Sequence, residues 1–165
     1  MSAESIAEWN TLFAVQAGAA ATLTGLVFVA FSLNQSRIMT YPGLPGRAAE
    51  SLLQLMEVFL ISTVALIPGQ PHWILAVEFL VIGGVLWVAQ MIGQVRYLRL
   101  RAGHPWRWFI YRAVLSQFSS VPFLMAGVTL LLGNPDALYW LVPGFVFSFV
   151  AGIVSAWVLL VEILR

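Results

Sequence analysis

Five long apolar runs divide the chain, and most of the charged residues stand between them or at their ends. The runs cover about residues 10–36, 51–68, 73–95, 113–133 and 137–161. An α-helix needs roughly 20 residues to cross a hydrocarbon core of about 30 Å, and each run is at or near that length. The pattern therefore predicts an all-α integral membrane bundle of five transmembrane helices, forming a single domain over residues 1–165.

The arginines give this bundle a predicted orientation. All eight basic residues are arginines, and they fall in alternate connections between the runs. The second connection holds Arg37 and Arg47, the fourth holds five arginines, and Arg165 ends the chain. Because cytoplasmic loops of membrane proteins collect Lys and Arg, we expect the N-terminus outside and the C-terminus inside.

The fourth connection combines these charges with aromatic side chains of the kind found at membrane interfaces. Its five arginines are Arg96, Arg99, Arg101, Arg107 and Arg112. Each basic group near an anionic leaflet contributes about 1 kcal/mol of attraction. We therefore predict that this segment contacts anionic lipid headgroups on the cytoplasmic side, with docking of a partner protein as the alternative.

Composition argues against several classes of function. Charged residues make up 9% of the chain and hydrophobic residues 61%, whereas soluble domains carry roughly 25% charged residues. The chain has no cysteine, and its two histidines, His72 and His104, lie in connections predicted on opposite sides of the membrane. No recognisable catalytic motif is present. We expect no enzyme activity, no cofactor, no metal site and no binding of nucleic acid.

Glu57 is the candidate functional residue. Counted from the start of the second helix near Ala48, it lies roughly 13 Å deep, close to the bilayer midplane. An acidic group at that depth costs about 2.5–3.5 kcal/mol, so it must face protein or water. Glu50 and Gln54 occupy the same face of the helix as Glu57, because offsets of four and seven residues return to nearly the same angle.

Other polar residues are predicted at a similar depth. Antiparallel pairing of the second and third helices places Gly83 and Gly84 opposite Glu57, with Gln90 and Gln94 nearer the cytoplasm. Thr22 of the first helix reaches a comparable depth. We predict a polar path open to the cytoplasm, made of Glu50, Gln54, Glu57, Gln90 and Thr22. The alternative is that a protonated Glu57 only hydrogen-bonds neighbouring helices and holds them together.

Small residues line one face of two helices. In the first helix this N-terminal stripe consists of Ala14, Gly18, Ala21, Gly25 and Ser32, and in the fifth helix the C-terminal stripe consists of Gly144, Ser148, Ala151 and Ser155. Small residues let membrane helices approach closely and gain van der Waals contacts. We expect both stripes to pack within the chain, with contact between subunits as the alternative.

Two predicted turns resemble each other. Gly69-Gln70-Pro71 and Gly133-Asn134-Pro135 place Gly where one helix ends and Pro where the next begins. Upstream, Leu53-Gln54-Leu55 has its counterpart in Ser116-Gln117-Phe118, at an offset of 63 or 64 residues. The two hairpins are either an internal duplication or two apolar hairpins that are similar by chance.

Three segments carry a family resemblance. They run from Gly18 to Asn34, from Pro42 to Glu50 and from Pro68 to Gln70. They resemble a group of small uncharacterised bacterial multipass membrane proteins, some of which are labelled modulators of the FtsH membrane protease. The resemblance implies a multipass protein of the bacterial inner (plasma) membrane, and it supplies no functional residues.

Two classes of function follow from these observations. In the first, an oligomer of the bundle is a channel or transporter for a small ion or solute, with Glu57 in the path. In the second, the protein is an accessory or modulator subunit that docks onto a larger membrane complex such as a membrane protease. Access of water to Glu57 favours transport, and an exposed groove of small residues favours docking.

Overall fold

The computed structural model describes residues 8–40, 44–99 and 106–157, and all the regular structure within these ranges is helical. Its α-helices are α1 (Asn10–Leu33), α2 (Gln35–Thr40), α3 (Leu44–Ala65), α4 (His72–Arg99), α5 (Trp106–Leu131) and α6 (Leu141–Trp157). A short 3₁₀ helix, Ala137–Trp140, precedes α6. Five helical segments are long and apolar enough to span a membrane, as the sequence predicts.

The ends of the spans differ from the predicted ones by a few residues. The first span stops at Leu33 instead of Ser36, because the chain turns at Asn34 before α2 begins. At this turn the Asn34 side-chain amide donates to the Ala30 carbonyl at 3.2 Å. The helix that carries the fourth run begins earlier, at Trp106. The fifth span starts as the 3₁₀ helix, and its predicted last residues, 158–161, lie outside the described part of the chain.

Two glycine turns make the long helices antiparallel. Gly69 and Gly133 adopt φ values of +71° and +76°, a left-handed conformation that suits glycine because it has no Cβ. Each glycine follows the end of a long helix, as predicted. We call the end of the bundle that holds these turns the far end. We call the opposite end, where α4 finishes near Arg96 and α3 begins, the arginine end.

Helix α3 lies at the centre of the bundle and packs against all four of the other spanning helices. In its apolar segment 56% of the residues are buried, compared with 17% in α1. The core toward the far end consists of fully buried aliphatic and aromatic side chains, among them Ile61, Phe79, Phe123 and Leu130. Glu57, on α3, is therefore placed among neighbouring helices and away from lipid.

The two small-residue stripes have opposite environments. In the C-terminal stripe, Gly144, Ser148 and Ala151 are buried, as expected, and the side chain of Ser155 is outside the described part of the structure. In the N-terminal stripe all five residues are exposed. The expectation that this stripe packs within the chain is wrong, because the face that α1 turns toward the bundle carries Phe13, Ala20, Val27 and Ala30 instead.

Candidate functional site

The site is built around the carboxyl group of Glu57. This side chain is fully buried, with 0% of its surface exposed. Its Oε2 atom accepts a hydrogen bond from the Ser120 hydroxyl of α5 at 2.7 Å and a longer one from the Gln90 side-chain amide of α4 at 3.3 Å. Three helices therefore meet at one carboxyl oxygen.

Gln90 connects these groups into a chain. Its amide nitrogen also donates to the Ser120 hydroxyl at 2.9 Å, and its amide oxygen accepts a bond from the Ser116 hydroxyl at 2.8 Å. All of these side chains are at least 98% buried. We call Glu57, Gln90, Ser116 and Ser120 the Glu57 network. Buried polar groups of this kind are stabilising only when they satisfy one another.

One atom of the network is not satisfied. Glu57 Oε1 is buried and has no hydrogen-bond partner in the described part of the chain. A methyl group built on Gly83 would lie 3.7 Å from this oxygen and 3.1 Å from Leu124 Cδ2. The predicted position of Gly83 opposite Glu57 is confirmed. Gly83 lies close beside Oε1, and a methyl group in its place would crowd Leu124, so the surroundings of Oε1 are closely packed and apolar.

A second carboxyl–amide pair lies toward the arginine end. The Gln94 amide donates to Glu50 Oε1 at 2.7 Å, and both side chains are more than 90% buried. Gln54, between Glu50 and Glu57 on α3, is also buried. The predicted polar face of α3 therefore pairs with the predicted polar face of α4, amide against carboxyl, over two successive levels of the bundle.

Thr22 is not brought into this arrangement. Its side chain is exposed, and its hydroxyl donates to the Gly18 carbonyl of its own helix at 2.9 Å. Thr24 makes the same bond to Ala20 at 2.7 Å. A threonine hydroxyl in a membrane helix commonly satisfies itself in this way. The prediction of a path open to the cytoplasm is wrong for this structure, because the packed helices bury its other four residues, Glu50, Gln54, Glu57 and Gln90. The buried polar side chains come from α3 and α4, with α5 in place of α1.

The two serines of α5 were not among the predicted site residues. Serine is common in apolar helices, so composition alone does not single out Ser116 or Ser120. The offset between the two similar hairpins would have found one of them, because Ser120 stands 63 residues after Glu57, the same offset that relates Gln54 to Gln117. The two positions touch across the middle of the bundle.

The arginine-rich segment is described only in part. Arg96 is exposed at the arginine end of α4. An apolar groove of about 400 Å³ runs along the outer face of α4 past Trp87, Met91 and Val95 and ends at Arg96. The side chains of Arg99, Arg107 and Arg112 lie outside the described part of the structure, as does the whole of Arg101.

No protein-family model, curated protein or solved structure matches this chain. Within the described residues, no group of three or more His, Cys, Asp or Glu side chains lies close enough together to hold a metal ion.

Proposed function

We propose that the protein is a transporter or channel for a small cation, the proton included, and that Glu57 is the residue that binds it. The main support is the buried carboxyl group with one unpaired oxygen in the middle of a membrane bundle. A residue that only holds helices together gains nothing from ionising, and glutamine would make similar hydrogen bonds without the cost of a buried acid.

The residues around Glu57 suggest a route from one side. Glu50, Gln54 and Gln94 lead from the arginine end to the Glu57 network. Beyond Glu57 the core is mainly apolar, although two buried hydroxyls there, of Ser62 and Ser148, have no partner among the described residues. Glu57 is fully buried and the N-terminal stripe is exposed, a combination that by itself favours docking. The transport proposal therefore requires a second conformation, in which the helices move and water reaches Glu57.

Orientation and location belong to the same proposal. The alternation of arginine-rich and arginine-free connections supports a cytoplasmic arginine end, with Glu57 reached from the cytoplasm. The family resemblance supports the bacterial inner membrane. A bundle of five helices encloses little space by itself, so we propose that the working unit is an oligomer or part of a larger membrane complex.

The experiment that tests transport compares two glutamates. Purified protein is reconstituted into vesicles, and fluxes of H⁺, Na⁺ and K⁺ are measured with ion-sensitive dyes. We expect Glu57→Gln to reduce the flux to that of protein-free vesicles. Glu78→Gln is the matched control, since Glu78 is only partly buried near the far end and is paired with Gln70. Unchanged flux in Glu57→Gln would remove Glu57 from the path, and equal loss in both variants would indicate damage to the fold.

A second candidate function is supported by the exposed N-terminal stripe. Gly18 and Gly25 have nothing within 4 Å of a Cβ position, so a helix of another protein could approach α1 closely there. This is the arrangement expected of an accessory or modulator subunit. Copurification from native membranes, with and without Gly25→Leu, tests it. A larger protein that is retained by the parent and lost from the variant would support docking.

A further inference from the structure

We infer that the ion bound at Glu57 is a proton, and that its binding reverses the hydrogen bonds of the Glu57 network. This inference rests on the proposed function and names its transported species. Its basis is the arrangement of donors and acceptors around the carboxyl group.

The described hydrogen bonds all run toward Glu57. The Ser116 hydroxyl donates to the Gln90 oxygen, the Gln90 nitrogen donates to Ser120, and the Ser120 hydroxyl donates to Glu57 Oε2. Glu57 is only an acceptor in this arrangement, which suits an ionised carboxylate. This direction of the hydrogen bonds is the one that an ionised Glu57 requires.

The other three residues of the Glu57 network can also exchange their donor and acceptor roles. A serine hydroxyl is both donor and acceptor, and rotating the Gln90 amide exchanges its nitrogen and oxygen. When a proton from water binds Oε2, the new O–H group donates to Ser120, Ser120 donates to the Gln90 oxygen, and the Gln90 nitrogen donates to Ser116. The three shorter bonds, Glu57–Ser120, Ser120–Gln90 and Gln90–Ser116, are kept in the reversed direction, and only the longer bond from Gln90 to Glu57, at 3.3 Å, is lost. The network therefore stabilises the neutral acid as well as the carboxylate.

The same geometry is unfavourable for a metal cation. A cation such as Ca²⁺ or Mg²⁺ needs about six oxygen ligands around it. The Gln90 amide presents its N–H group to Glu57, with the nitrogen 3.3 Å from Oε2, and the residues packed closely beside Oε1, Gly83 and Leu124, offer no side-chain oxygen. A proton needs neither space nor further ligands, because it forms a covalent bond with the oxygen.

Charged groups near Glu57 are few and lie toward the ends of the bundle. The segments Asn10–Leu33 of α1 and Leu141–Trp157 of α6 contain no titratable residue. The titratable residues of α4 are His72 and Glu78 near the far end and Arg96, Tyr97 and Arg99 at the arginine end. Those of α5 are Arg107, Tyr111 and Arg112, all at the arginine end. On α3 itself, Arg47 lies at the start, and Glu50 lies about 10 Å along the helix from Glu57. Proton binding at Glu57 is therefore separated from other titrating groups.

The inference is tested by infrared difference spectroscopy of the reconstituted protein between high and low pH. Protonation of a buried glutamate produces the C=O stretching band of a carboxylic acid. We expect such a band in the parent and its loss in Glu57→Gln. We expect Ser120→Ala to move the band, because Ser120 bonds the carboxyl group directly. Ser119→Ala is the matched control and leaves the band in place, since the buried Ser119 hydroxyl donates to the Leu115 carbonyl of its own helix.

The outcomes separate this inference from the proposed function. Proton binding at Glu57 and transport are both supported if the Glu57 band appears and the H⁺ flux does not change when choline replaces Na⁺ and K⁺. Glu57-dependent flux of Na⁺ or K⁺ without the band would contradict proton binding but would still support cation transport. A Glu57 band without any flux supports proton binding and overturns transport. If Ser120→Ala and Ser119→Ala shift the band equally, the proposed role of the network is wrong. Both serine variants still contain Glu57, so this comparison can be made even if Glu57→Gln does not fold.

Discussion

The first and last spanning helices carry similar stripes of small residues, and the bundle uses them differently. In the C-terminal stripe, a Cβ atom on Gly144 would lie only 2.8 Å from the ring of Phe123. In the N-terminal stripe, a Cβ atom on Gly18 or Gly25 would meet nothing within 4 Å. The C-terminal stripe has its neighbours inside the chain, whereas Gly18 and Gly25 of the N-terminal stripe have none among the described residues.

The difference shows what a small-residue pattern in a membrane helix can predict. It indicates that another helix can approach the backbone closely, because small side chains project little from the helix. It does not indicate which helix approaches. In α6 the approach comes from α5 and α3, since Gly144 faces Phe123 and Gly152 faces Leu55. In α1 the corresponding surface is available to a second copy or to another protein.

The largest effect that separates the two stripes is expected from Gly144→Leu. Phe123 is fully buried and packs against Phe145 with ring centroids 5.5 Å apart, so its ring cannot move aside without disturbing the core. Overpacking of this kind costs about 1–3 kcal/mol or more. Thermal unfolding in detergent, followed by tryptophan fluorescence, measures the loss. A variant as stable as the parent would contradict the close packing of α5 and α6.

A smaller and sharper effect is expected from replacing one glycine in each stripe with alanine. Gly144→Ala still places a methyl group against Phe123 and should destabilise the protein. Gly18→Ala enters open space on a helix, where alanine is favoured over glycine by up to about 1 kcal/mol. The same substitution should therefore change stability in opposite directions at the two positions. Equal shifts in the unfolding temperature would mean that the stripes do not differ in packing.

Much of the fold could be predicted from the sequence because the membrane restricts the choices. Backbone groups in hydrocarbon must bond within the chain, so five apolar runs of sufficient length predict five helices. The positions of Gly69 and Gly133 predict the turns, since their left-handed conformation suits glycine. The break at Asn34 was not predicted, because the chain turns there within an otherwise apolar segment.

The candidate site could be predicted only along single helices and between helices joined by a short turn. Glu50, Gln54 and Glu57 share a face by helical periodicity. The turn at Gly69 sets the register that places Gly83 opposite Glu57 and Gln90 on the same face, nearer the arginine end. Ser120 belongs to a helix that follows a longer connection, so its register against α3 depends on packing that one sequence does not specify. Thr22 lies at a suitable depth, but depth alone does not determine which way a side chain faces.

The smallest effect on stability, and the most informative for function, is expected from Gly25→Leu. The added side chain enters open space, so the stability of the single chain should change by no more than about 0.5 kcal/mol. Association through the N-terminal stripe should nevertheless be lost, because the bulk of leucine keeps a second helix at a distance. Leu26→Ala is the neighbouring control, since Leu26 is 56% exposed and its truncation adds no bulk.

Association can be measured by energy transfer between labelled copies in vesicles. The chain has no cysteine, so a single cysteine at the exposed Gln35 gives one labelling position per copy. Transfer in the parent and in Leu26→Ala, with loss in Gly25→Leu, would identify a second copy as the neighbour of the N-terminal stripe. If the parent shows no transfer but retains a larger membrane protein that Gly25→Leu releases, the neighbour is that protein. Transfer that is equal in all three proteins would mean that the copies meet through another surface.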